Sequence, residues 1–191
     1  MSPTVLLGTE IILRPMRYRD RKQWNRVRAE NREWLTPWEA TLPKIPLGNP
    51  AHESGDPRPT FFEMVKNLKQ EAKAGRSYSF LIWKEANLVG QITMGGVMFG
   101  AMRGAHIGYW IDRNFANRGY TTEAVKLLSE FGFHQLGLHR IEINVRPEND
   151  ASCRVAEKAG FEFEGFRKGY LHIDGAWRDH KCFVKTNELI Q

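Results

Sequence analysis

Cysteine is scarce in this sequence: Cys153 and Cys182 are the only two among 191 residues. Two thiols build no disulfide framework, and neither stands at the spacing of a zinc or redox motif. His106, His134, His139, His172 and His180 show no ligand spacing either, so no metal site is expected. No apolar run is long enough to span a bilayer. The first residues lack the charged start and apolar stretch of a secretory leader. Internal repeats, low-complexity tracts and linkers are missing too. These absences point to one domain over residues 1–191, cytoplasmic, with reduced thiols and no membrane contact. No feature calls for direct nucleic-acid binding, and the chain is expected to be a monomer or homodimer.

What is present in excess is mild positive charge: 28 Lys and Arg against 22 Asp and Glu, a net +6. That suits an acidic ligand or a ribonucleoprotein neighbourhood without specifying either.

The most informative stretch is Asn117-Arg118-Gly119-Tyr120-Thr121-Thr122-Glu123-Ala124. Before it, His106–Asp112 alternates as a strand. After it, Ala124, Leu127, Leu128 and Phe131 share one helical face. Strand, polar turn with a glycine, then helix: the free N–H groups of the first helical turn and the positive dipole end make a seat for phosphate. Gly119 lets a ligand approach the backbone, and Arg118 adds charge. An ordinary capped helix start has the same local pattern.

Around this centre the chain reads in order. Thr9–Met16 is a strand ending near Pro15. Tyr18–Glu33 is a helix with Trp24, Val27 and Arg28 on one side. Trp34-Leu35-Thr36-Pro37-Trp38-Glu39 reads as a short semi-rigid wall, or as two core indoles. Thr41–Pro59 carries five prolines and reads as a long loop. Thr60–Ala74 is a helix stopped by Gly75. Ser77–Trp83, Leu88–Met98 and the His106 strand form an antiparallel meander, with a bulge at Gly95-Gly96. Arg140–Val145 alternates as a further strand, and Asn149 or Asp150 caps a short helix over 151–159. Phe161–Ile173 and Ala176–Lys185 form a hairpin across Asp174-Gly175.

Four pieces in this order resemble the GNAT (Gcn5-related) N-acetyltransferase superfamily: Gly-Tyr-Trp-Ile-Asp at 108–112, Arg-Gly-Tyr-Thr-Thr-Glu-Ala at 118–124, Pro-Glu-Asn-Asp-Ala-Ser at 147–152 and Glu-Lys-Ala-Gly-Phe at 157–161. Ile-Leu-Arg-Pro at 12–15, Trp-Leu-Thr-Pro-Trp at 34–38 and Phe-Glu-Gly-Phe-Arg at 163–167 are similar to the RimJ/RimL kind, the N-terminal acetyltransferases of ribosomal proteins. The resemblance implies a mixed α/β (α+β) fold. Its sheet would be seven-stranded and mostly antiparallel, with a parallel pair that splays apart (the family's fourth and fifth strands) and helices on both faces. It implies acetyl-CoA as cofactor, with CoA as product. One departure stands out: the family's turn commonly has Arg or Gln where this chain has Ala116, and Gly or Ala where it has Thr121.

The resemblance also assigns residues. Arg118, Gly119, Tyr120, Thr121 and Thr122 would hold the pyrophosphate; Ile111, Asp112 and Arg113 would meet the pantetheine arm at the splay, joined by Asn149, which is equally a plain helix cap. Ser152 matches the serine proposed to protonate the leaving CoA thiolate, and Glu164 the carboxylate suggested as general base. Trp34, Trp38, Tyr170 and Trp177 can wall the acceptor slot, with Glu39, Glu33 or Asp179 attracting its ammonium. The acceptor would be an N-terminal α-amine starting in Ala, Ser or Thr, with ribosome association possible. Two alternatives stay open: a small-molecule amine such as a polyamine or antibiotic, and a non-catalytic acetyl-CoA-binding module associated with ribosomes.

Overall fold

The computed structural model describes residues 5–43 and 59–188; most of the Pro-rich stretch read as a loop over 41–59 lies outside them. Strands β1 (Leu6–Leu7), β2 (Ile12–Pro15), β3 (Tyr78–Lys84), β4 (Asn87–Met98), β5 (Gly104–Ile111), β6 (Arg140–Val145), β7 (Glu162–Ile173) and β8 (Ala176–Thr186) form one eight-stranded sheet in the order β1-β2-β3-β4-β5-β6-β8-β7. The expected count was seven. The extra strand is β1, whose two residues pair with Ile12 and Leu13, ahead of where the sequence pattern starts. All pairings are antiparallel except β5–β6.

Period-two alternation divides the side chains between two faces. Tyr78, Phe80 and Ile82 of β3 join Ile107, Ile141, Ile143 and Phe183 in one core layer. Helices α4 (Tyr120–Glu130) and α5 (Asp150–Lys158) cover it through Ala124, Val125, Leu128 and Ala156. Leu81 and Leu88 point the other way, into a second layer closed by α1 (Arg21–Glu30) and α3 (Phe61–Lys73) through Val27, Phe61 and Val65. Helices thus lie on both faces, as the resemblance implied. A capping box between Thr60 and Glu63 starts α3.

The helix expected over Tyr18–Glu33 is interrupted. It begins as a 3-10 turn at Tyr18–Asp20, runs as α1, and breaks at Asn31 before α2 (Arg32–Leu35). Asn31 is buried; its amide donates to Val27 O at 2.9 Å and its Oδ1 accepts from Arg113 N at 2.8 Å. The break ties this segment to the turn beyond β5.

Asp20 fixes the entry to α1. It is buried, receives two 2.8 Å hydrogen bonds from Arg14, and accepts from Arg17 N. Burial pushes its pKa up, but those donors and the charges of Arg14 and Arg19 outweigh it, and the net shift is downward. A folded-state pKa below the unfolded value of about 3.9 gives stabilisation that is complete above that pH and fades as pH falls through the folded value. Asp20→Asn is therefore expected to lower unfolding free energy at pH 7 by about 3 kcal/mol, because Arg14 is left without its anion. The variant should also lose less stability than the parent between pH 5 and pH 2, as read by urea titrations.

Candidate functional site

β5 ends at Ile111, and Asp112 Oδ1 then accepts from Asn114 N at 2.9 Å to start a 3-10 turn over Arg113–Phe115. Asn117 and Gly119 take positive φ, +61° and +84°, and bend the chain into α4. The first bond of that helix runs from Glu123 N to Gly119 O. Gly119 supplies no side-chain cap. Among the described residues no protein group accepts from the amides of Tyr120, Thr121 and Thr122, so they point outward at the positive end of α4.

β5 and β6 pair in parallel at three positions only, Gly104↔Arg140, Ala105↔Ile141 and His106↔Glu142. Beyond His106 the two strands part. Asp112 N donates to Val89 O of β4 at 2.7 Å; by alternation the backbone groups of Tyr109 and Ile111 then face the gap. Trp34 Nε1 donates to Ile111 O at 3.1 Å. On the far side stands the start of α5, where Asn149 Oδ1 caps Ser152 N at 3.0 Å. The Ser152 hydroxyl lies 2.8 Å from Tyr109 Oη. Burial pushes the Tyr109 phenol well above its ordinary pKa, although the bond to Ser152 pulls it down; it stays protonated, and its Oη also donates to the Ser152 carbonyl at 3.3 Å.

Turn, gap and helix start open into one cleft of about 850 Å³. It brings together the 118–122 turn, Ile111, Asn149 and Ser152 with Trp34, Trp38 and Glu39. Glu39 is ion-paired with Arg28, whose guanidinium also lies over Trp110 at 5.3 Å. Trp38 sits under Arg146, 5.3 Å from its ring.

Seven expected residues do not line this cleft: Glu33, which is exposed on α2, and Asp112, Arg113, Glu164, Tyr170, Trp177 and Asp179. Asp112 is buried and its N–H is spent on Val89; the Arg113 N–H is spent on Asn31. Glu164 is bound at both oxygens by Arg140, at 2.7 and 2.6 Å, which holds its pKa below the usual carboxylate value. A carboxylate so engaged, outside the cleft, is badly placed to take a proton there. Tyr170 hydrogen-bonds Arg167 at 3.0 Å and Trp177 packs edge-on to His172. Both belong to the β7–β8 hairpin, where Asp179 accepts from Gly169 N.

Sequence reading missed Tyr109, Asn31, Arg28 and His106. Tyr109 had a legible signal, since it shares the parity of Ile107 and Ile111. The other three are set by contacts between distant segments.

The acetyltransferase (GNAT) domain family matches residues 10–162. The chain belongs to the GNAT acetyltransferase family. This acetyltransferase is 31% identical over 185 residues to the "Probable N-acetyltransferase YjcK" of Bacillus subtilis, covering 96% of the chain and 97% of the relative. It is 29% identical over 188 residues to the [Ribosomal protein uS5]-alanine N-acetyltransferase of Escherichia coli, covering 96% and 92%. Among solved structures it resembles Mycobacterium smegmatis RimJ in complex with CoA-disulfide, with a TM-score of 0.83 and 35% identity over 98% of this chain and 88% of that one. No helix among the described residues is long and apolar enough to cross a membrane.

Proposed function

We propose that this acetyltransferase moves the acetyl group of acetyl-CoA to the N-terminal α-amine of a protein, a ribosomal protein being the class its relatives suggest. The observation that carries this is the two-sided cleft, with outward amides at 120–122 on one side and an aromatic wall with a neutralised carboxylate on the other. When bound, acetyl-CoA would supply an activated acyl carbon and a thiolate leaving group. Arg118 and the amides of residues 119–122 fit its diphosphate. The backbone of Tyr109 and Ile111 fits the amides of its arm, as an added strand does. Ser152, its hydroxyl hydrogen-bonded to Tyr109 Oη, is placed to hydrogen-bond a departing sulfur near the positive end of α5.

Two arguments favour an α-amine. A free α-amine has pKa about 8, so roughly a tenth is neutral at pH 7, against under about a thousandth of a lysine side chain. A cleft whose two glutamates, Glu39 and Glu148, are both held by arginines suits the former. Moreover, Glu39 is paired with Arg28 and Glu148 with Arg146, and in the rest of the lining Arg118, Arg154 and Lys158 outnumber Asp150. Such a lining repels a polycation. Peptides beginning with Ala, Ser or Thr should release CoA from acetyl-CoA, and spermidine should release little. Turnover on spermidine or an aminoglycoside with none on any peptide would reassign the acceptor, and CoA binding without turnover on any amine would leave only a binding module.

A further inference from the structure

The proposed reaction requires something to take a proton from the acceptor ammonium, and the carboxylates facing the cleft are poorly suited to it. Glu39 and Glu148 are held by Arg28 and Arg146. Asp150 is the first residue of α5, beside the Asn149 cap and away from Trp34 and Trp38 in the chain. Glu164 is outside the cleft and doubly bound.

Among the described residues a single imidazole lines the cleft, that of His106. It is the last residue of β5 paired with β6, so it stands at the apex where the gap begins. By alternation it shares a face with Gly108 and Trp110, and Trp110 packs in the layer closed by α1 and α3. This is the acceptor half, with Arg28, Trp34 and Glu39. The glycine pair in β4 makes room for the ring. A Cβ on Gly95 would lie 3.0 Å from its Nε2, and one on Gly96 2.9 Å from its Nδ1. No hydrogen bond to either ring nitrogen is formed among the described residues.

We propose that His106 is the general base of this acetyltransferase, accepting the proton of the acceptor amine at the closed end of the gap; this rests on the functional reading above. Tyr109 lies three positions further along the strand, a backbone spacing of about 10 Å at ~3.3 Å per residue, and by alternation the two side chains leave opposite faces, so a substrate joining them passes through the gap. An acyl carbon beside Ser152, an attacking nitrogen about 3 Å from it and one hydrogen bond, direct or through a water, span that interval. The ammonium gives one proton to His106 and thence to solvent. The carbon–nitrogen bond forms, the carbon–sulfur bond breaks, and the nitrogen's second proton balances the one taken up by the thiolate.

The charges around the ring suit this role. Although the ring is exposed to the cleft, crowding by its neighbours lowers its pKa, and the Glu142 carboxylate pulls the other way. Glu142 is itself held by Arg140 at 2.9 Å and Arg167 at 2.7 Å, and β4 presents only the two glycines. The imidazole is thus neutral at pH 7.

The test uses the full chain with acetyl-CoA and an Ala-starting peptide, comparing the parent with His106→Gln and His106→Ala. Both variants should lose about a hundredfold in kcat, keep their affinity for CoA by calorimetry, and regain part of the rate in His106→Ala when imidazole is added. With two peptides of different α-amine pKa, one acidic limb of kcat/KM should follow the peptide. A second limb, fixed below pH 6.5, should vanish in His106→Gln. Parent turnover that is matched within about twofold by His106→Gln, or a fixed limb that persists in it, overturns this assignment alone. A parent that turns over no amine overturns the functional reading and this assignment with it.

Discussion

Replacing Gly119 by valine is expected to raise the Kd for CoA at least about tenfold, about 1.4 kcal/mol, while the protein stays folded. Gly119 holds φ at +84° as the residue before α4, and a Cβ there would meet no protein atom within 4 Å. The protein itself therefore offers no clash, and two other effects act. A β-branched residue in the left-handed region costs about 1–2 kcal/mol, which favours unwinding the turn that aims the amides of Tyr120, Thr121 and Thr122. Its methyl groups would also enter the space a diphosphate takes against those amides. The discriminating measurement is calorimetry with two ligands. CoA should bind far more weakly to the variant, whereas acetyl-pantetheine, which lacks the diphosphate, should bind parent and variant alike. Equal loss for both would mean that the turn does not hold phosphate and that the damage is general.

Ser152→Ala is expected to lower kcat by about a hundredfold with little change in CoA affinity. Its hydroxyl is not needed as the helix cap, since Asn149 fills that role. Instead it bonds Tyr109, whose phenol burial keeps protonated. If the phenol orients the serine, Tyr109→Phe should also slow turnover, and the double variant should be no slower than Ser152→Ala, because the two act as one unit. Steady-state rates for the four proteins decide this. Additive losses would separate the residues, and a Ser152→Ala protein with parental kcat would remove the serine from the chemistry.

These expectations show which parts of the site a sequence can carry. The position of the 118–122 turn was legible because a glycine between a period-two strand and a period-3.6 helix marks where the helix starts. The Asn149 cap and the Asp174-Gly175 hairpin were legible for similar reasons, both being local; in the hairpin both residues hold positive φ. Glu164 was not. Its side chain is steered by Arg140 across the intervening β8, and the register of β7 slips between Phe163 and Gly165, which breaks any count of parity along the strand. Tyr170 lies beside a second slip, between Arg167 and Leu171. Asn31 was invisible for a related reason: the groups it satisfies, Val27 O and Arg113 N, include one far along the chain. The fold needed only periodicities and turns, whereas much of the site needed contacts between segments.

The three rungs joining β5 to β6 have a mechanical consequence. Strands β1–β5 and β6–β8 are two plates riveted along a short seam at one end. A slender amide-bearing chain laid along Tyr109 and Ile111 would lengthen that seam, so occupancy of the cleft would stiffen the molecule across it.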